Sequence, residues 1–311
     1  MEYIKFKNQL AKSDILKVLE NLLLDYIAHN DTDLLVEGVS NGLLQIDYTL
    51  CYIESIKNKE QLINMQNSLI ITNSEYSEEY KDFHLLYVQD ARYVFIKLLE
   101  YLTRNDLLEK FTTALKYKQS FVGQNVILHP SVILEDSVVI EDDVVISAGC
   151  VIKNGTYIGR RSIIRENCTI GCDGIALYKA KNGEVLRFPH VAGISIGENV
   201  EIGANCVIVR GTLSNTQINN DTVIGNLCNI GHGVKIGKKV WMSVGSMIGG
   251  NCRIEDYVTI GLSVSLKDNL FIARESTIGM GSVVTKSILE TTTLFGNPAK
   301  PLRPLHVGPK R

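Results

Sequence analysis

Four residues of chemically useful type stand 18 positions apart in the chain: His232, Gly250, Asp268 and Lys286. A histidine, with an ordinary pKa of about 6.5, can take a proton from an ammonium group near neutral pH. A glycine leaves its backbone N–H uncovered, ready to meet a tetrahedral oxyanion. An aspartate can orient the imidazole or hold an ammonium, and a lysine can bind a phosphate. Acyl transfer from a thioester to an amine needs a base, an oxyanion donor and two substrates held in line. His232, Gly250 and Asp268 are therefore candidate catalytic residues, provided that the fold brings positions 18 apart to one place. Each has a plainer alternative: a surface histidine, a turn glycine needing positive φ, a solvated carboxylate. The other histidines, His29, His84, His129, His190 and His306, do not cluster with His232.

The element that would align the column is written in the chain. From Leu128 to Ile170 an aliphatic residue recurs every six positions, and again at Ile196, Ile202 and Ile208. After a slip of four residues the rhythm runs from Ile218 to Val284, giving 23 such positions in all. Four residues after most of them comes a small or β-branched residue, such as Val132, Val138, Cys150, Ser162 and Cys168. Glycine often follows directly, as in Ile158-Gly159 and Ile230-Gly231. A period of six fits neither an α-helix nor hairpins with their turn signals. It fits a parallel β-helix in which each hexapeptide forms one side of a triangular coil. Residues 18 apart then lie on one corner of successive coils, about 4.8 Å from each other. Periodicity leaves the hand open, although parallel crossovers in general favour the right.

The β-helix is expected over residues 121–290, interrupted by a loop at 171–195 that ends in Phe188-Pro189-His190. Insertions in solenoids commonly gather on one face and build binding sites. Residues 1–120 read as a small N-terminal α/β domain with a helical connector. Ser13 is placed to cap a helix running through Ile15, Leu19, Leu22 and Ile27. Strand-like runs follow at 34–39, 48–53, 68–72 and 84–88, then an amphipathic segment at 92–102. Residues 291–311 form a tail whose Gly296-Asn297-Pro298 is unsuited to continue the repeat.

Composition excludes several classes. Lys plus Arg number 32 against 34 Asp plus Glu, a net charge of −2, without the basic excess of a nucleic-acid binder. No apolar run approaches the ~20 residues of a membrane helix, and the first residues lack a secretory core. Seven cysteines without a CxxC pair suggest neither a disulfide framework nor a zinc cluster. A reducing, cytoplasmic setting and no bound metal are expected. Zinc carbonic anhydrases also use hexapeptide β-helices, but they need three converging histidines, and none stands in register with His232.

Several motifs fall in a recognisable order: Gly171-Cys172-Asp173-Gly174, Phe188-Pro189, Ile196-Gly197, Arg210-Gly211-Thr212-Leu213 and Ile230-Gly231-His232-Gly233-Val234. With Gly38-Val39 and Tyr52 in the first domain, they make the chain resemble the UDP-3-O-acylglucosamine N-acyltransferases of lipid A synthesis. The solenoid is similar to left-handed β-helix acyltransferases. The resemblance implies a left hand, a homotrimer, active sites between subunits, His232 as the catalytic histidine and Tyr52 as a stacking platform for a nucleotide base. The chain departs from that family at Gly225-Asn226, Gly233, Asp268, Ser55 and Asn58, where the family usually has Asp-Asn, Asn, His, Asn and Tyr. The Pro/Gly-rich ending leads to the expectation that the family's C-terminal helical extension for acyl carrier protein is not part of this chain. Gly296-Asn297-Pro298-Ala299-Lys300 instead resembles the ending of β-helix acetyltransferases that use coenzyme A. These departures lead to the expectation of an N-acyltransferase taking acyl-CoA as co-substrate, with no tightly bound cofactor. Lys286, Lys300 and Arg303 would meet the coenzyme phosphates. The expected acceptor is a nucleotide-linked aminodeoxysugar of the dTDP-4-amino-4,6-dideoxyglucose type, with Tyr52, Ser55 and Asn58 at the nucleotide. The alternatives are UDP-3-O-acylglucosamine N-acylation from acyl carrier protein, and a non-catalytic scaffold, which would explain the repeat but not the column.

Overall fold

The structure is a computed structural model that describes residues 3–30, 32–75, 77–109 and 120–302. It resolves into two compact units: residues 1–112 with 174–192 and 211–214, and the remainder of the chain.

The first unit is built on a six-stranded sheet. Its elements are β1 (Tyr3–Ala11), α1 (Lys12–Asn21), β2 (Ile27–Ala28), β3 (Leu35–Ser40), β4 (Thr49–Tyr52), β5 (Leu69–Thr72), β6 (His84–Tyr87) and α2 (Ala91–Arg104). The sheet order is β1-β3-β4-β5-β6-β2, with β3 to β6 parallel and the two outer strands antiparallel. All four residues of β5 are buried, the continuous run expected of a central parallel strand. Helix α1 is shorter than its periodicity suggests. Leu23 takes a left-handed φ of 53°, which ends the helix, and Ile27 goes to β2 instead. Ser13 is not the cap: Ala11 holds that position, while the Ser13 amide and hydroxyl both donate to Asp33 at 3.1 Å. Helix α2 is capped by Asp90, whose Oδ1 accepts from the Tyr93 amide at 3.0 Å. Its Val94, Phe95, Leu98 and Leu99 are buried in the sheet core.

The inserted loop divides between the units. Its ends remain solenoid strands, Thr169–Cys172 and Ile194–Ile196. Its middle is a hairpin of Leu177–Lys179 against Val185–Arg187 that belongs to the first unit. Leu186, Phe188 and Val191 are buried in that unit's core together with Phe95. Apolar side chains choose their core, and these chose the α/β one.

The second unit is a β-solenoid with three faces. Successive strands of each face pair in parallel, and the coil step is 18 residues, as in Ile140 against Ile158 and Ile230 against Ile248. Register survives both interruptions, passing from Ile158 to Ile196 across the loop and from Ile208 to Ile230 across the slip. Each repeated aliphatic points inward, as does the residue two positions before it. Cys150, Cys168, Cys206 and Cys228 thus stand in one buried inner column. Burying an isoleucine contributes about 1.5–3 kcal/mol, so one continuous core accounts for the fold's cohesion. Three residues after most aliphatics the backbone turns through a left-handed φ of 53–61°, at Asn125, Asp143, Asn167, Asn199, Asn205, Asp221, Asn251 and Asn269. Short polar side chains and glycine recur there because they tolerate that conformation.

The solenoid also takes two strands more than the repeat suggested. Thr293–Phe295 pairs in parallel with Thr277–Ile278, and Lys300–Pro301 then returns antiparallel to it. Gly296, at φ 105°, opens the turn between them.

Candidate functional site

His232 sits two residues after the inward Ile230, at the corner leading from the third face to the first. Parallel register carries Ile230 to Ile248, Leu266 and Val284, so Gly250, Asp268 and Lys286 occupy the same corner on later coils. The imidazole lies directly over Gly250. A Cβ built on that glycine would stand 2.5 Å from Nε2 and 2.7 Å from Cε1 of His232. Gly250 does not have a left-handed φ; Asn251 carries that at 57°. The glycine is required by the ring above it and not by the turn. Among the described residues no acceptor takes the Gly250 N–H. A half-exposed imidazole beside an unclaimed amide is what an oxyanion site needs.

The neighbouring glycines are explained by coil contact. A Cβ at Gly231 would lie 2.7 Å from the Gly250 nitrogen, and one at Gly225 would lie 2.8 Å from the Val244 nitrogen. Gly233 turns through φ 66° and donates its amide to Thr216 Oγ1 at 2.9 Å. Glycine and asparagine both accept that conformation, so the departure at 233 leaves the corner's shape intact. Asn226 is used locally, its Oδ1 accepting from the Ala204 amide at 2.9 Å.

Asp268 is placed differently from expectation. It stands two coils from His232, roughly 10 Å at the usual strand spacing, beyond hydrogen-bond reach. Its Oδ2 instead accepts from Asn269 Nδ2 at 2.8 Å, and the side chain is exposed. Orienting the imidazole is therefore not its role.

Arg210, which the column reading passed over, occupies the His232 corner one coil earlier, since Ile208 pairs with Ile230. Its guanidinium is buried, donating from Nε to the Gly171 carbonyl at 2.6 Å and from Nη2 to Asn154 Oδ1 at 2.8 Å. Asp173 lies 3.2 Å from it, and burial holds its pKa below the ordinary value. Its offset of 22 residues from His232, widened by the slip, hid it from a search at 18.

In the first unit Tyr52 ends β4, with its ring 5.0 Å from Phe95 and 6.5 Å from Phe188. Burial pushes its hydroxyl pKa up, and the Arg92 charge pulls against that. Asn58 caps the short turn Lys59–Leu62, its Oδ1 accepting from the Gln61 amide at 3.3 Å. Ser55 is exposed. Neither residue is tied to Tyr52 by a hydrogen bond. Lys286 and Lys300 do converge, lining a cavity of about 620 Å³ at the last coils, three coils from His232. Arg303 lies outside the described residues.

The three-faced coil with its 18-residue step makes the second unit a hexapeptide-repeat solenoid, with His232 and Gly250 stacked at one corner. Residues 120–154 and 137–172 match the model of the bacterial transferase hexapeptide family, described as six repeats. Over 145 residues the chain is 37% identical to a probable mitochondrial UDP-3-O-acylglucosamine N-acyltransferase 2 of Arabidopsis thaliana, covering 47% of this chain and 48% of that one. It is 36% identical over 146 residues to the UDP-3-O-acylglucosamine N-acyltransferase of Methylorubrum populi, covering 47% and 41%. The chain thus spans about half the length of the curated relatives it matches. A solved structure similar to it is the UDP-N-acetylglucosamine acyltransferase of Francisella novicida, at 23% identity, over 57% of this chain and 68% of that one, with a TM-score of 0.44. Among the described residues no helix is long and apolar enough to cross a membrane.

The curated relatives overturn the expected acceptor. The relatives are named for UDP-3-O-acylglucosamine, not for a dTDP-linked aminodeoxysugar. The residues behind the discarded reading have local work instead. Asn58 is a turn cap, and Gly296-Asn297-Pro298 lies in the turn that closes the last strand pair.

Proposed function

We propose that the chain is an N-acyltransferase that moves an acyl group from an acyl carrier protein thioester to the amine of a UDP-linked 3-O-acylglucosamine. The observation that carries this reading is the His232 imidazole seated over Gly250, with that glycine's N–H unclaimed. The likeness to relatives named for this reaction supports the acceptor. The neutral amine attacks the thioester carbonyl, and His232 takes one N–H proton as the C–N bond forms. The tetrahedral oxyanion is met by the Gly250 N–H, whose position costs no reorganisation. The C–S bond then breaks, and the imidazolium returns its proton to the departing thiolate.

A homotrimer belongs to the same reading. Leu227, Trp241, Val244, Met247, Leu262 and Met280 are exposed apolar residues clustered by register around the corner between the second and third faces. Apolar side chains gathered at one corner suit an interface, and a second copy of the chain is the occupant we assign to it.

The test is transfer itself. Purified protein, given UDP-3-O-acylglucosamine and acyl carrier protein charged with a fatty acyl group, should yield the N-acylated nucleotide sugar by mass spectrometry. Failure to form that amide, with transfer to a dTDP-linked amino sugar under the same conditions, would sink this reading.

A further inference from the structure

Among the described residues of the first unit, one arginine has no anionic partner. Arg92 stands in the first turn of α2, its guanidinium carbon 4.8 Å from the centre of the Tyr178 ring. That ring is fixed from below, because the Tyr178 hydroxyl donates to Asp90 Oδ1 at 2.7 Å. Asp90 also accepts from the Lys181 amide at 3.1 Å, so the inserted hairpin is fastened to the start of α2. The Nε of Arg92 is buried and has no hydrogen-bond partner, and among the described residues no carboxylate pairs with the side chain. Glu54 acts on both Tyr52 and Tyr178 electrostatically but forms no ion pair with Arg92. The Nε is enclosed, whereas the two Nη groups are not, and among the described residues no acceptor takes their protons, so they are the donors an acceptor from outside the chain would meet. A guanidinium offers a planar fork of donors that suits phosphate oxygens, and an aromatic face beneath it keeps the fork in place. Tyr52, whose ring lies 5.0 Å from that of Phe95 on the same helix, supplies the neighbouring surface for a base.

We propose that Arg92, resting on Tyr178 beside Tyr52, binds the phosphates of the nucleotide substrate, so that the inserted hairpin forms part of the nucleotide site. This rests on the nucleotide-sugar reading above and adds a recognition residue to it. It also gives the hairpin a purpose, because Tyr178 is the floor on which the guanidinium lies.

The test is calorimetric binding of UDP and of uridine to the full chain and to Arg92→Ala and Arg92→Lys variants, each checked by thermal melting. The wild type should bind UDP more tightly than uridine. Arg92→Ala should weaken UDP by roughly tenfold or more while leaving uridine unchanged, as expected for a lost charge-assisted contact. Arg92→Lys, which keeps the charge without the fork, should fall between them, and it serves alone if the alanine variant does not fold. Equal weakening of UDP and uridine overturns the proposal, since Arg92 would then only support the aromatic platform. So does an unchanged UDP affinity in both variants, with the nucleotide reading left standing. Binding of neither compound to the wild type overturns the nucleotide reading and this proposal together.

Discussion

At the residue scale the site depends on one missing methyl group. In Gly250→Ala the new Cβ would stand 2.5 Å from the His232 ring, so the imidazole must move. A displacement of about 1 Å at a reacting group costs on the order of 10²-fold in rate. We expect kcat to fall by about that factor while the unfolding midpoint changes little, as steady-state kinetics and a denaturant titration would report. A second residue sets a pH response. His84 is buried, and burial together with the nearby Lys12 charge holds its pKa below the ordinary 6.5. The folded protein therefore resists a proton that the unfolded chain accepts. Stability is complete above about pH 6.5, declines as pH falls below it, and levels off once the folded form also titrates. Melting temperatures measured from about pH 7.5 to about pH 5 should fall less steeply in His84→Phe than in the wild type. Equal slopes would assign the acid sensitivity to other groups.

At the scale of elements the coil corners repeat one conformation, and that makes a clean experiment possible. Gly281 turns through φ 66°, and a Cβ there would meet nothing within 4 Å. Gly281→Ala therefore tests the backbone alone, and should cost about 1–2 kcal/mol in denaturant unfolding, with Gly281→Asn costing less. No cost at all would mean that the corners relax. Much of this architecture is legible in the sequence. Ile230 and Cys228 lie four residues from adjacent members of the repeat or within it, and period six alone assigns both to the interior. The left-handed corners became visible only in the backbone, where Asn205, Asn251 and Asn269 keep step with the aliphatics three residues before them. What stayed hidden depends on contacts between distant segments. Leu186 and Phe188 alternate as strand residues do, but nothing in that alternation says which of two cores will bury them. Asn58 is an unremarkable turn cap once the backbone is visible, whereas in the sequence an asparagine near Tyr52 looks like a ligand contact. Gly250 is one of many glycines until the coils stack and His232 is found above it.

At the scale of the whole molecule, the apolar corner around Trp241 is where subunits are expected to meet. Light scattering should give about three times 34.6 kDa for the wild type. Trp241→Asp places a charge in the middle of that patch and should lower the mass towards the monomer. A monomeric wild type would remove the trimer from the account. The central claim is that the corner carrying His232 performs amide formation, and its most direct measurement is kcat for N-acylation of UDP-3-O-acylglucosamine in His232→Ala. The account predicts a fall of ~10²–10⁴-fold, the usual loss for a positioned base, with UDP affinity and oligomeric mass unchanged. A variant that keeps most of the wild-type kcat would contradict it, and would mean that the departing thiolate collects the proton without help from the protein.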